Sequence, residues 1–327
     1  MLIYLETKAK SYPLAQQIIS QFPSENIVEI QHYKNFFDKK IGDFPLEPCL
    51  ILAKQDSIAL LDAPQHYGYL GKNFFFKPMI NCIFDCDYCY LKGTFRNRFP
   101  VIFVNYEDFQ QQISSKIMQI RQWWYEGQIT FYASNYADLL ALDHLTHFHE
   151  SFLPFFEQFD RVLMETRTKS VNIENLKKIG NLDGVSFSNT EVSFSLSPQE
   201  VTEQYEKKTA SLSQKLEAIL TLLTYHYQIG LRFLPLLPLE HYETVYENFL
   251  KVVTSELDCS KIHSLFIAPL IYNEGDYQAL KKIGKLPFLD VLQNDHGLMK
   301  MPPSYYDFFL QLFQKYFPGF QIFWDYR

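Results

Sequence analysis

Three cysteines within one short stretch, Cys82, Cys86 and Cys89, constrain this chain more than any other feature. Their spacing is C-x3-C-x2-C, in the segment NCIFDCDYCY. The other two of the five cysteines, Cys49 and Cys259, lie far away in sequence. Thiols clustered in this way have one plain chemical use, the convergence of three thiolates on one metal centre. Any fold the chain adopts must therefore present residues 82–89 as a loop with a hollow beside it. Three ligands are one short of the four that close a typical iron–sulfur or structural zinc site. An open coordination position admits a small molecule, which suits catalysis better than pure structure.

The flanking sequence indicates the frame that holds the loop. NFFFKPMI (73–80) is an apolar run that reads as a strand leading straight into the cysteines. Further on, ITFYAS (129–134), RVLMETRT (161–168), EVSFSLS (191–197), GLRFLPLLPL (230–239) and IHSLFIAPLI (262–271) read as strands. Apolar residues at helical spacing predict helices over about 106–125, 140–159, 170–180, 212–227 and 242–257. Gly180 is expected as a C-cap, and Thr209 or Ser211 as the N-cap of the fourth helix. Strand–helix alternation of this kind argues for an α/β fold, a parallel sheet curled into a full or partial barrel. Functional groups in such folds gather at the C-terminal ends of the strands, where the cysteine loop falls.

Before the cysteines, LIYL, a helix in LAQQIISQF and NIVEI form a β-α-β unit. CLILAK (49–54) and SIALLDA (57–63) read as two strands joined at Gln55-Asp56. The expected division is a small N-terminal α/β subdomain over 1–70, a barrel over 71–272 and a C-terminal extension over 273–327. The extension carries a helix (303–316) and a final strand (319–324).

Charge and composition narrow the function classes. A net charge of −7 gives no global pull toward nucleic acid. LKGTFRNR places Lys92, Arg96 and Arg98 just after the cysteines, as a rim for a polyanion or as a solvated face. Aromatics make up 17% of the chain, and their expected place is the core. Stacking on nucleobases is the sharper use for a few of them. The N-terminal segment lacks the apolar core of a signal peptide, and HSLFIAPLIY is too short to span a membrane. With clustered reduced thiols, these features point to a reducing cytoplasm and no membrane partner.

A three-cysteine loop at the mouth of a parallel α/β sheet suggests a [4Fe–4S] cluster with one iron not ligated by protein. The amino and carboxylate groups of S-adenosylmethionine can chelate that iron. One-electron reduction then cleaves the sulfonium and releases a 5′-deoxyadenosyl radical. The spacing is the signature of the radical S-adenosylmethionine superfamily. The alternative is a zinc site completed by His66 or a more distant histidine. Zinc knuckles usually come as C-x2-C pairs, and the chain has no second pair.

The segment CDYCYLKGTFRNRFPVIFVNYEDF resembles the spore photoproduct lyase family. IYLETKAKSYPLAQQIISQF, DLLALDHLTH (138–147), ETRTKSVNIENL (165–176), EKKTASLSQKLEAI (206–219) and YFPGFQIF are similar to other parts of it, so the resemblance covers most of the chain. It implies a partial (β/α)6 barrel of the radical S-adenosylmethionine type. It also implies a [4Fe–4S] cluster, S-adenosylmethionine, a reducing donor such as flavodoxin or ferredoxin, and a DNA lesion as substrate. By the same resemblance Cys82, Cys86 and Cys89 are the ligands. Tyr88 and Tyr90 serve hydrogen-atom relay, with Tyr90 also packing against the cofactor. Lys169 meets the carboxylate of S-adenosylmethionine, with Arg167 on the same side of the strand, and Ser195 bonds its ribose or methionine part. Ser134 and Asn135 bind its amino group. Asp138, Asp143 and His144 also match family positions, with capping expected of the carboxylates and a core place of His144.

The sequence leaves the family at Asn135, where members carry the cysteine that returns a hydrogen atom. An amide N–H bond is far stronger than a thiol S–H bond, so Asn135 does not take over that step. Cys49 or Cys259 can do so only if folding brings one to the cleft. LKG also replaces the commoner LQ. Two readings follow: a radical enzyme of this family, or a catalytically altered iron–sulfur protein that binds nucleic acid or another partner. The retained Tyr88, Tyr90 and Lys169 favour the enzyme.

Overall fold

Six parallel strands carry the fold: Lys72–Phe75, Ile129–Tyr132, Val162–Thr168, Thr190–Ser195, Gln228–Leu236 and Ser264–Pro269. Each pairs with the next in chain order. The computed structural model describes residues 1–37, 48–63, 69–95, 97–182, 187–284, 286–320 and 322–324, so His66 and Arg96 fall outside it. The helices Tyr106–Arg121, Phe148–Phe156, Glu174–Gly180, Leu212–Thr224, Tyr242–Glu256 and Pro303–Tyr316 follow the six strands in turn. Leu61–Asp62 lies antiparallel to the first strand and Ile322–Trp324 parallel to the sixth. The curled sheet therefore stays open, as the expected partial (β/α)6 barrel.

A second sheet has the order Ile27–Ile30, Leu2–Glu6, Cys49–Ala53, Val101–Phe103, Met79–Ile80. Its composition corrects two expectations. NFFFKPMI is not one strand. It divides at Lys77-Pro78 into Lys72–Phe75 of the barrel and Met79–Ile80, antiparallel to Val101–Phe103. Pro78 has no N–H for a ladder and restricts the residue before it, so the chain changes sheets there. The cysteine loop consequently starts at the seam between the two sheets. CLILAK and SIALLDA do not form a hairpin either. Gln55 is held by the Asn105 side chain, its N–H donating to Oδ1 at 2.9 Å and its carbonyl accepting from Nδ2 at 3.1 Å. That leaves Leu61–Asp62 to join the barrel edge.

The helix expected over 140–159 breaks at His147, whose φ is 48°. Asp143 Oδ1 accepts from the His149 N–H at 3.1 Å and starts the second piece, Phe148–Phe156. Gly180 is the last helical residue rather than a left-handed cap. A Cβ there would come within 2.8 Å of the Tyr225 ring, so close packing explains the glycine. Ser211 caps Leu212–Thr224 through a capping box with Gln214.

The aromatic residues mainly build the core. Phe76 meets Phe109, Phe148, Phe152 and Phe156 between the first strands and their helices. The barrel interior is charged lower down. Arg232, on the fifth strand, is buried between Glu165 at 2.6 Å and Glu191. Gly230 leaves the room for this pair, since a Cβ there would stand 2.4 Å from Glu191 Oε1. No helix among the described residues is long and apolar enough to cross a membrane.

Candidate active site

The cysteine loop is fixed from several sides. Asn81 turns the chain out of Met79–Ile80 with a φ of 65°, and its side-chain amide donates to the carbonyls of Asn97 and Phe99 at 2.9 and 3.1 Å. Cys86 and Asp85 pair antiparallel with Glu206 and Lys207, and the Asp87 N–H donates to the Tyr205 carbonyl at 2.8 Å. Tyr272 Oη donates to the Tyr88 carbonyl at 2.6 Å. Lys92, with a side chain only 5% exposed, bridges Asp85 at 2.9 Å and Asp87 at 3.3 Å. Arg98 also pairs with Asp85. Lys92 thus closes the loop and does not form a basic rim.

The short helix Leu91–Thr94 follows, and Gly93 lies against the helix Glu274–Ile283. A Cβ on Gly93 would meet Asp276 Cα at 2.8 Å. The absence of a side chain at Gly93 is what allows this approach.

All three thiols open on one cleft of about 350 Å³. Burial pushes each of them up, Cys82 well above its ordinary value and Cys86 to about 12. Asp138 raises Cys82 further. Thiolates in such a place persist only beside a strong cation, and this donor set suits iron–sulfur ligation. A single zinc ion draws its ligands to about 2.3 Å from one point. Among the described residues no three His, Cys, Asp or Glu side chains are grouped in that way. A cluster takes one thiolate per iron, and three thiols that open on one cleft suit that ligation.

The ends of the barrel strands line the rest of the cleft. Ser134 and Asn135 follow the second strand, Arg167, Thr168 and Lys169 close the third, and Ser195 closes the fourth. Every site residue expected from sequence borders this hollow: Cys82, Cys86, Cys89, Tyr88, Tyr90, Ser134, Asn135, Lys169 and Ser195. Tyr90 Oη donates to the Asn135 carbonyl. Ser134 Oγ is buried with no hydrogen-bond partner among the described residues, as expected of a group that awaits a polar ligand.

Arg167 grips Glu165 with Nε at 2.8 Å and Nη2 at 3.1 Å, and its guanidinium lies 5.5 Å from the Tyr132 ring and 5.2 Å from Phe266. Asp138 accepts from Thr168 Oγ1 at 2.8 Å, the Lys169 N–H at 2.7 Å and the Ala141 N–H at 3.0 Å. It caps the 3-10 turn Leu140–Leu142 and ties the second strand's loop to the third strand's end.

Two residues of the site escaped the sequence reading. Glu206 accepts from Lys169 Nζ at 2.9 Å, Ser197 Oγ at 2.6 Å, Lys215 Nζ at 3.4 Å and Tyr88 Oη. Burial alone would raise its carboxyl, but Lys169 and Lys215 outweigh burial and hold it at about 2. Burial would likewise lower the Lys169 ammonium, and Glu206 keeps it above its ordinary value. Burial and Glu206 push the Tyr88 phenol well up. Lys215 was visible in sequence as a charge on the apolar face made by Leu212, Leu216 and Ile219. Glu206 carried no such signal, because its neighbours Lys207 and Lys208 read as surface.

The remaining expectations divide. His144 is exposed and pairs with Asn172 at 2.9 Å, so it is not a core histidine. Asp143 is fully buried 2.9 Å from His149 Nδ1. Cys49 lies in the N-terminal sheet and Cys259 precedes the sixth strand, at the end opposite the cleft. Neither lines the cleft.

A family model described as spore photoproduct lyase matches residues 73–274. The chain is 24% identical over 277 residues to the spore photoproduct lyase of Bacillus subtilis, covering 81% of this chain and 75% of that one. It is 23% identical over 270 residues to the enzyme of the same name from a Geobacillus species, covering 79% and 74%. Among solved structures, a spore photoproduct lyase double mutant with bound AdoMet and dinucleoside spore photoproduct superposes with a TM-score of 0.82 at 18% identity, covering 98% and 97%. A spore photoproduct lyase complexed with the dinucleoside photoproduct gives 0.82 at 18%, covering 99% and 98%.

Proposed function

The chain belongs to the spore photoproduct lyase family, a family of radical S-adenosylmethionine enzymes, and from that premise we propose that its cleft generates a 5′-deoxyadenosyl radical and directs it at a pyrimidine lesion of DNA. The observation that carries this reading is the common cleft: three cysteine thiols and the ends of the second, third and fourth strands border one hollow. A reduced [4Fe–4S] cluster with chelated S-adenosylmethionine, when bound, supplies the electron that splits the sulfonium.

The chain's own residues do the rest. Cys82, Cys86 and Cys89 hold the cluster. Ser134 Oγ, otherwise unpaired, and Asn135 take the amino group of the cofactor. Lys169 turns to the cofactor carboxylate while Lys215 keeps Glu206 neutralised, so the handover leaves no buried carboxylate unpaired. Ser195 bonds the ribose or methionine part. Arg167, close to the Tyr132 and Phe266 rings, offers the lesion a planar cation in the cleft. The lesion reaches it extruded from the duplex.

Hydrogen return in this chain falls to Tyr90. Its hydroxyl bonds the carbonyl of Asn135, the position at which the resemblance expects a thiol, and no thiol besides the three ligands lines the cleft. Tyr90 passes its O–H hydrogen atom to the substrate radical and becomes a tyrosyl radical, with Tyr88 held behind it on Glu206.

The test is turnover of the dinucleoside spore photoproduct by reduced, anaerobically reconstituted protein in deuterated water. The expected product is the repaired dinucleotide carrying deuterium. Tyr90→Phe should lose repair while 5′-deoxyadenosine still forms. Formation of 5′-deoxyadenosine with the photoproduct untouched would exclude this substrate. Full repair by Tyr90→Phe would exclude Tyr90 as the donor.

A further inference from the structure

We propose that the solvent face of the cysteine loop is the docking surface for a small acidic one-electron carrier protein, steered by Arg98, Lys207 and Lys208 onto Ile83 and Phe84. The proposal rests on the cluster reading above, since a [4Fe–4S] centre in this cleft must be reduced before each radical is formed. Electron tunnelling falls off exponentially with distance. A carrier must therefore sit against the loop itself and not elsewhere on the barrel.

The loop presents a suitable surface. Cys82, Ile83, Phe84 and Asp85 are half-exposed at its start, whereas Cys86, Asp87 and Tyr88 are buried. The antiparallel bridge sets Lys207 opposite Asp85 and Glu206 opposite Cys86, which brings the bases after Glu206 alongside the outer turn of the loop. The Arg98 and Lys207 side chains are 53% and 49% exposed. Lys208, next in sequence to the Lys207–Asp85 bridge, is exposed too, at a turn with a φ of 67°. The result is a half-buried apolar spot at Ile83, continued by Phe84 at the lip of the cleft, with bases alongside it.

The charge balance selects the partner. The chain carries a net −7 and repels an acidic protein over most of its surface. Around the loop Lys92, Arg98, Lys207 and Lys208 gather about Asp85 and Asp87, with Lys92 buried between the two carboxylates and the other three bases exposed. An excess of two charges is small for a duplex, where firm binding rests on about six to ten phosphate contacts. It is enough to steer a protein carrier. Electron-transfer encounters are also the ones that make do with little area and release quickly. Asp85 and Asp87 suit that use, because they limit the field and let the oxidised carrier leave.

The experiment compares reductants on the reconstituted full chain by stopped-flow bleaching of the cluster absorbance. Reduced flavodoxin is the acidic carrier and dithionite the small reductant that needs no docking. In Lys207→Glu/Lys208→Glu, bleaching by flavodoxin at low ionic strength should slow by about tenfold or more. Bleaching by dithionite should match the wild type. Added salt should slow flavodoxin with the wild type and bring the two proteins together. Because Lys207 also pairs with Asp87 at 3.3 Å, Lys208→Glu with Arg98→Gln serves as a second variant that leaves that pair intact. Equal flavodoxin rates in wild type and both variants would overturn the proposal. So would an equal loss with dithionite, which would place the effect in the cluster site. So would unchanged flavodoxin rates with weakened binding of a DNA duplex, which would assign the surface to nucleic acid. Failure of the cluster reading itself shows separately, as a wild type that dithionite does not bleach.

Discussion

Glu206 gathers four donors on one carboxylate, from Lys169, Ser197, Lys215 and Tyr88, while its backbone pairs with Cys86. One side chain therefore connects a cluster ligand, a tyrosine of the relay and the cation meant for the cofactor. Two buried ammonium groups on one carboxylate leave a positive excess that a further anion in the cleft relieves. Removing the carboxylate leaves both lysines buried without a counter-charge. Glu206→Gln should thus lose about 3–5 kcal/mol of stability, measured by denaturant unfolding of the protein without cofactor. A loss under about 1 kcal/mol would mean that water, not Glu206, solvates Lys169 and Lys215. Nothing in the sequence singles out Glu206, because a two-residue bridge to a loop more than a hundred positions away has no local pattern. The cysteines and the tyrosines beside them were legible, since their chemistry depends on short spacing.

The strands and helices of the barrel were legible for a similar reason. Apolar faces at helical spacing and apolar strand runs are local signals, and the six strand–helix pairs follow them. The breaks were not. Pro78 sends one apolar run into two sheets, and Asp143 restarts a helix after His147. At the first the missing N–H of Pro78, and at the second a side-chain cap on a backbone N–H, wins over hydrophobic pattern. The charged interior of the barrel was equally hidden, because Glu165, Glu191 and Arg232 alternate with apolar residues as on a half-exposed strand. Burial alone would raise the Glu191 carboxyl, but Arg232 and the hydrogen bond to His263 hold it well below the ordinary range. A carboxyl depressed in the folded state stabilises the fold above its unfolded value of about 4.3, and that stability is lost as pH falls further. Unfolding free energy should accordingly drop below about pH 4.3 more steeply for the wild type than for Glu191→Gln. Parallel curves for the two proteins would show that the carboxyl is not depressed.

On the scale of the whole molecule, the fold separates two tasks. The seam between the sheets carries the cysteine loop, and the C-terminal ends of the barrel strands supply the opposite wall of the cleft. Radical formation draws on both. In this account the fate of the radical depends on the loop after the second strand, where Tyr90 reaches the Asn135 carbonyl. Loss of any one thiol should therefore end both tasks, while changes at Tyr90 should end only the second. Cys86→Ala is expected to lose the brown absorbance and the bound iron after reconstitution; retained colour and iron would show that Cys86 is not a ligand. The most direct measurement is the yield of 5′-deoxyadenosine when the reconstituted wild type receives dithionite and S-adenosylmethionine under anaerobic conditions. The nucleoside should form well above a protein-free blank and should be absent with Cys86→Ala. An intact, reduced cluster that leaves S-adenosylmethionine uncleaved would mean that this cleft does not carry out radical chemistry.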